Sequence, residues 1–237
     1  MPTPANYTLL ETARFERKFV LENSSLSYAK MLMKTSVGVF SPIYEKRRVN
    51  NMYFDTPNLT SYYENHFGKS DRTKIRVRWY GETLGEIIDP ILEIKIKHGA
   101  AGKKKSYPLK SFNLKEGISR QDWNKIFQSS DLPDMVRAEL KRNIPTLLNS
   151  YEREYFQSFD EMFRFTVDYN LNFFNVKSMI SSFREKSLPE NTIILELKYD
   201  LKEDKEVKKI TKALPVRLGK FSKYIRGVEI FNPHLAV

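Results

Sequence analysis

The sequence predicts an α+β fold of about eight β-strands, mostly antiparallel, with helical excursions between them. Three observations predict it. Five separate stretches alternate between charged and apolar residues, as strands do when successive side chains point to opposite faces. The stretches follow one another at hairpin spacings. The segments between them carry helix start and stop signals.

In chain order, Phe15 to Leu21 reads as the first strand. Ser24 or Ser25 caps a helix that runs to about Val37 and ends at Gly38. Arg47 to Phe54 is a second strand, stopped by Asp55–Thr56–Pro57, and Asn58 to His66 a short helix. Arg72 to Tyr80 and Ile91 to His98 are the third and fourth strands. Gly99 to Gly102 reads as a turn into a fifth, Lys103 to Pro108. Ser119 to Gln128 and Asp134 to Asn143 read as helices, the second ended or kinked by Pro145. Ser150 to Phe156, Phe163 to Phe173 and Thr192 to Asp200 complete the strands. A Lys/Glu-rich helix over Glu203 to Ala213 and a short helical element over Lys220 to Val228 follow. No repeat, low-complexity tract or clear linker interrupts the chain, so residues 1–237 read as one domain.

Composition limits the function. Lys and Arg outnumber Asp and Glu by 40 to 29, a net charge of +11, which favours an anionic partner. With no cysteine, thiol nucleophiles, disulfides and Cys-based metal sites are excluded. No run of 18 apolar residues exists, and Met1–Pro2–Thr3–Pro4 does not begin a signal sequence. A soluble, cytoplasmic protein without an intrinsic membrane segment is expected.

The strands sort by parity. Arg72, Lys74, Arg76 and Arg78 oppose Ile75, Val77 and Trp79; Glu93, Lys95 and Lys97 oppose Leu92, Ile94 and Ile96. Arg14, Glu16 and Lys18 oppose Phe15 and Phe19. Arg164, Thr166 and Asp168 oppose Phe163, Phe165 and Val167, and Glu196 and Lys198 oppose Leu195, Leu197 and Tyr199. One reading is a sheet with its apolar face on the core and its charges in water. The other is a closed sheet, an eight-stranded antiparallel β-barrel with helices packed outside and polar groups inside. Lys74, Arg76 and Arg78 favour it, because like charges on one short face repel unless an anion sits there.

Phe15, Phe19, Trp79, Phe163 and Phe165 lie away from the basic parity, which opposes a base-stacking platform, although Tyr151 and Tyr155 share parity with Arg153. No specific nucleic acid is expected. A linear phosphate chain needs only cations and hydrogen-bond donors along its length. Glu93 and Glu196 among these cations are either internal salt bridges or, in a phosphate site, holders of Mg2+ or Mn2+.

The motifs resemble the catalytic domain of the vacuolar transporter chaperone (VTC) polyphosphate polymerases, within the CYTH or triphosphate-tunnel metalloenzyme superfamily. In order from Glu16 to Glu229 they are Glu16–Arg17–Lys18–Phe19, Val49 to Pro57, Arg76–Val77–Arg78–Trp79–Tyr80–Gly81, Glu93 to His98, Lys103 to Lys110, Tyr151–Glu152–Arg153, Arg164 to Asp168, Ile194 to Lys198 and Lys220–Phe221–Ser222–Lys223–Tyr224. The resemblance implies an eight-stranded triphosphate tunnel and polyphosphate synthesis from ATP. Its alternatives are a tripolyphosphatase or nucleoside triphosphatase of the same fold and a non-catalytic polyphosphate-binding module. It implies catalytic roles for Arg76, Arg78, Lys95, Arg153 and Arg164, and phosphate binding by Lys18, Lys97, Lys104, Lys198, Lys220 and Lys223. It implies divalent-metal ligation by Glu196. Lys105 is an alternative to Lys104, and His98 to Lys97. ATP, pyrophosphate and polyphosphate are the implied partners, and Mn2+ or Mg2+ the cofactor.

Two departures stand out. Arg14 occupies the first acidic position of the superfamily's opening motif, which favours the polymerase branch over an acid-rich triphosphatase. Asn65 stands where fungal polymerases carry a basic residue, with Lys69 and Arg72 as substitutes. The phosphate-sensing and membrane segments of fungal members have no counterpart in this sequence, as expected of a stand-alone bacterial member.

Overall fold

A computed structural model describes residues 14–98, 101–176, 184–188 and 191–236. The Met1–Pro4 start, and Gly99 and Ala100 of the expected turn, lie outside them. The protein is α+β, built on a large antiparallel sheet. Its strands are β1 (Arg14–Leu21), β2 (Ser41–Asp55), β3 (Arg72–Tyr80), β5 (Ile91–His98), β6 (Ala101–Pro108), β8 (Ile144–Gln157), β9 (Arg164–Asn175), β10 (Arg184–Ser187), β11 (Ile193–Asp200) and β12 (Leu218–Gly219). The order is β12-β1-β11-β9-β8-β2-β3-β5-β6, with β10 paired to β9. A separate pair joins β4 (Gly85–Ile87) to β7 (Phe112–Leu114). The helices are α1 (Leu26–Lys34), α2 (Thr60–His66), α3 (Arg120–Ser129), α4 (Asp134–Lys141), α5 (Asp204–Ala213) and α6 (Lys223–Phe231).

The chain groups into two compact units. The first combines the described residues of 1–47, 151–171 and 188–221. Here the apolar parity predicted for β1, β9 and β11 (Phe19, Phe165, Val167, Leu195, Leu197) packs in one cluster with Leu32 and Met33 of α1 and Val207 and Ile210 of α5. Arg17 shares the apolar parity but reaches out, donating to Asp204 (2.9 Å), Thr211 (3.1 Å) and Tyr199 (3.0 Å). The second unit combines the described residues of 48–150, 172–187 and 222–237. Ile75, Val77, Trp79, Leu92 and Ile94 form its core with Trp123 and Phe127 of α3 and Val136 and Leu140 of α4. In both units the apolar strand parity lies under helices, so the charged parity faces the other way.

The local signals act as written. Ser25 accepts from the Tyr28 amide at the start of α1, and Ser119 and Asp122 form a capping box on α3. Several boundaries differ from expectation. α1 stops at Lys34, where the Thr35 hydroxyl takes the Met31 carbonyl. Pro145 neither ends nor kinks a helix: α4 has stopped at Lys141, and Pro145 is the second residue of β8. β4, β7, β10 and β12 were not predicted, being too short for a two-residue period to register. Ile96 is 36 % exposed, so at the outer end of β5 the apolar parity no longer marks core.

Two cationic sheet faces

In the first unit, β1, β11 and β9 put their charged parity on one face in clear rows. Lys18 lies opposite Glu196, which lies opposite Thr166; Glu16 lies opposite Lys198, which lies opposite Arg164. Arg153 of β8 joins this face through Asp168. Its Nε and Nη2 donate to the two Asp168 oxygens at 2.5 and 2.7 Å, and its Nη2 lies 3.9 Å from Glu196. Asp168 is wholly buried and Arg153 nearly so. Burial alone would lower the Arg153 pKa; Asp168, Tyr151 and Glu196 outweigh it and hold the guanidinium charged well beyond its ordinary range. Its planar group also lies over the Tyr151 ring at 5.3 Å. Lys198 Nζ stands 3.2 Å from Glu196, and Lys18 Nζ donates to the Phe221 carbonyl at 3.3 Å. Arg164 is half-buried at the end of its row.

The second unit has a denser cationic face. Tyr53, Arg76, Glu93 and Ser106 form one cross-strand row, and Lys74, Lys95 and Lys104 the next. Arg72 and Lys97 form a third. Glu93 accepts from Arg76 Nε (2.7 Å) and from Lys104 Nζ (3.0 Å), and Arg78 Nη1 lies 3.7 Å away. Burial raises the pKa of this carboxyl, but Arg76, Arg78 and Lys104 together outweigh it and bring it to about 2. Glu93 is thus the internal ion pair that the sequence left open. The Lys97 pKa is pushed down, first by burial and then by Arg72 and Lys95. Facing charges of one sign explain the crowding.

The register separates the sequence alternatives. Lys104 lies opposite Lys95 on the cationic face, whereas Lys105 lies opposite Ile94. Lys97 shares that face with Arg72; His98 is on the other parity and pairs with Asp71. Asn65 donates to the Ser61 carbonyl at 2.7 Å, while Arg72 donates to the Lys69 carbonyl at 2.8 Å. Lys220 and Lys223 do not share a helix face, because Ser222 caps α6 and the helix begins at Lys223. Lys220 is exposed ahead of it. Lys74 Nζ hydrogen-bonds Ser222 Oγ at 3.2 Å, next to Lys223.

Two further residues support the site, Asn51 and Asp55. Asn51 accepts from Arg78 Nε (3.0 Å) and donates to Asn149 (2.9 Å), fixing Arg78 from the neighbouring strand. Two asparagines in a strand otherwise buried at that point were the available signal. Asp55, also wholly buried, accepts from the amides of Thr56, Ser61 and Tyr62 and from the Tyr224 hydroxyl. It therefore caps α2 and ties down α6. Thr166 Oγ1 is buried among the described residues with no hydrogen-bond partner.

Glu196 is the carboxylate that the resemblance gives to a metal. Thr166 lies opposite it in register, and Asp168 is engaged by Arg153. Among the described residues no group of three or more His, Asp or Glu side chains gathers as a metal cage. One carboxylate among lysines does fit Mg2+ or Mn2+ held jointly with phosphate oxygens and water, the usual arrangement in phosphoryl-transfer sites.

Fold and faces define a class: an antiparallel α+β protein whose charged strand parity gathers Lys and Arg, with a few carboxylates among them, on its sheet faces. The chain belongs to the VTC domain family, which matches residues 13–232. Among solved structures it is similar to a candidate adenylyl cyclase from Hippeastrum with a dominant triphosphatase activity, at 12 % identity and TM-score 0.50, covering 90 % of this chain and 95 % of that one. It is also similar to candidate adenylate cyclases from Vibrio parahaemolyticus (10 % identity, TM-score 0.51, 91 % and 99 % covered) and Bacillus halodurans (14 %, 0.51, 90 % and 96 %). These likenesses bear on the fold. No curated protein matches the chain in sequence. Among the described residues, no helix is long and apolar enough to cross a membrane.

Proposed function

We propose that residues 1–237 work as one domain, a metal-dependent cytoplasmic phosphotransferase that binds a triphosphate and synthesises polyphosphate from ATP. The sheet would close round the polyanion as the eight-stranded tunnel of the family. The observation that carries this reading is the row Lys74–Lys95–Lys104, three ammonium groups in cross-strand register beside Arg72 and Lys97. Such a face is costly when empty and favourable with a phosphate chain along it.

Arg76, Arg78, Lys95, Arg153 and Arg164 neutralise and align the triphosphate. Lys18, Lys97, Lys104, Lys198, Lys220 and Lys223 hold the donor and the growing chain. Glu196 would hold Mg2+ or Mn2+, which would supply positive charge to offset that of the bound phosphates. A terminal oxygen of phosphate, pyrophosphate or polyphosphate attacks the γ-phosphorus in line. The bond from γ-phosphorus to the β–γ bridging oxygen breaks, and ADP leaves with that oxygen. Positioning and charge stabilisation suffice, and no covalent enzyme intermediate forms. Incubation of the pure protein with ATP and Mn2+, followed by a gel stained for polyphosphate, tests this. A ladder of long polymer supports synthesis. Orthophosphate release without polymer assigns water as acceptor and makes the protein a hydrolase. Binding of polyanions with no phosphate transfer makes it a binding module.

A further inference from the structure

Thr166 is 2 % exposed, and its Oγ1 has no hydrogen-bond partner among the described residues. A buried hydroxyl left unpaired costs free energy, so an unpaired one asks for a ligand atom. Its position shows which atom. Thr166 sits between Arg164 and Asp168 on the charged parity of β9, directly opposite Glu196, which is itself opposite Lys18. On this face Arg153 is held by Asp168, Glu196 by Lys198, and Lys18 donates to the Phe221 carbonyl. The Thr166 hydroxyl is a buried donor on this row with no partner among the described residues.

We propose that Thr166 Oγ1 is a ligand-contacting group that donates its proton to a non-bridging oxygen of a bound phosphate chain, beside Glu196. This rests on the triphosphate-binding reading above and adds to it a neutral donor among cations. A hydroxyl fixed on a buried strand has one short rotor to order. It therefore sets the position of a phosphate more sharply than a lysine does, and its worth is not screened by salt as that of an exposed charge is.

The hydroxyl has opposite signs for folding and for binding, and this makes it testable. Thr166→Val keeps the side-chain shape and removes the unpaired group, so its thermal midpoint is expected at or above that of the wild type. Its affinity for tripolyphosphate, measured by titration calorimetry at fixed salt, is expected to fall about 10-fold, as for loss of a hydrogen bond to a charged acceptor. The fall appears both in EDTA and with Mg2+. Thr166→Ser restores affinity to within about threefold, since it keeps the donor. If the valine variant does not fold, Thr166→Ala gives the same comparison against serine. Unchanged affinity, a lower midpoint with unchanged affinity, or a loss seen only with Mg2+ overturns the proposal. Wild-type protein that binds no tripolyphosphate in either buffer overturns the triphosphate reading itself.

Discussion

Replacing Glu93 with Gln is the sharpest test of the cationic face, because its effect should come and go with pH. The folded carboxyl titrates at about 2 against an ordinary 4.5, so the folded state favours the ionised form by about 2.5 pH units. At 1.36 kcal/mol per unit this is about 3 kcal/mol. Lys104 is 56 % exposed and its share is screened, so we take 2–3 kcal/mol as the expected loss, roughly 4–12 °C in thermal midpoint for a chain of this size. The sign follows from the depressed pKa. The stabilisation is full above the unfolded value near 4.5 and disappears as pH falls through about 2. Urea unfolding of both proteins from neutral pH downwards should show the full gap at pH 7, narrowing only below about 4.5 and nearly closed by about 2. Tripolyphosphate should stabilise the Gln variant more than the wild type, since Arg76 and Arg78 lose their internal anion. A gap that stays constant or widens in acid would refute the ion-pair account. An equal response to tripolyphosphate would refute the anion-binding role of this face.

Glu196→Ala should abolish Mn2+-dependent turnover while keeping the wild-type circular dichroism spectrum and lowering the urea midpoint only modestly, since Lys198 still reaches solvent and buried Arg153, which loses one anion, keeps Asp168. Asp168→Ala should be severe, about 3–5 kcal/mol by chemical denaturation, because it leaves the Arg153 guanidinium buried without its bidentate partner. Gly227→Ala should destabilise by about 1–3 kcal/mol or more, measured by thermal melting. Its new Cβ would stand 2.3 Å from Leu147 Cδ2 and 2.6 Å from Phe173 Cδ1. Tripolyphosphate affinity should fall steeply with added salt, and Lys95→Ala should flatten that slope in a fluorescence titration series.

The strands that alternate cleanly were legible because one parity is needed under helices. β3 and β5 have the bounds that alternation gives them. The charged faces were legible for the same reason, since Arg76 and Lys95 in one unit and Glu196 in the other fall on the parity opposite Val77, Ile94 and Leu197. What parity cannot give is which strands become neighbours. The pairing of Lys18 with Glu196 and of Glu196 with Thr166 joins residues far apart in the chain. Nor does composition tell whether a carboxylate serves a metal or a guanidinium. Register puts Glu93 within reach of three cations, and Glu196 within reach of Lys198 and Arg153. Asp55 was read as a strand stop; its work as anchor of α2 and Tyr224 depends on a helix that begins well over a hundred residues later. The closing helix starts later than its sequence suggests, at Lys223 and not Lys220, because Ser222 is its cap.

β1 meets its partner β11 only across most of the polypeptide, Leu21 lying opposite Ile193. On a ribosome adding about 5–20 residues per second, the first strand waits roughly 10–30 s for the segment that completes it. During that wait Phe15, Phe19 and Leu21 have no finished surface to bury against. A fragment ending before residue 193 should therefore emerge sticky and unable to mature, whatever phosphates are supplied.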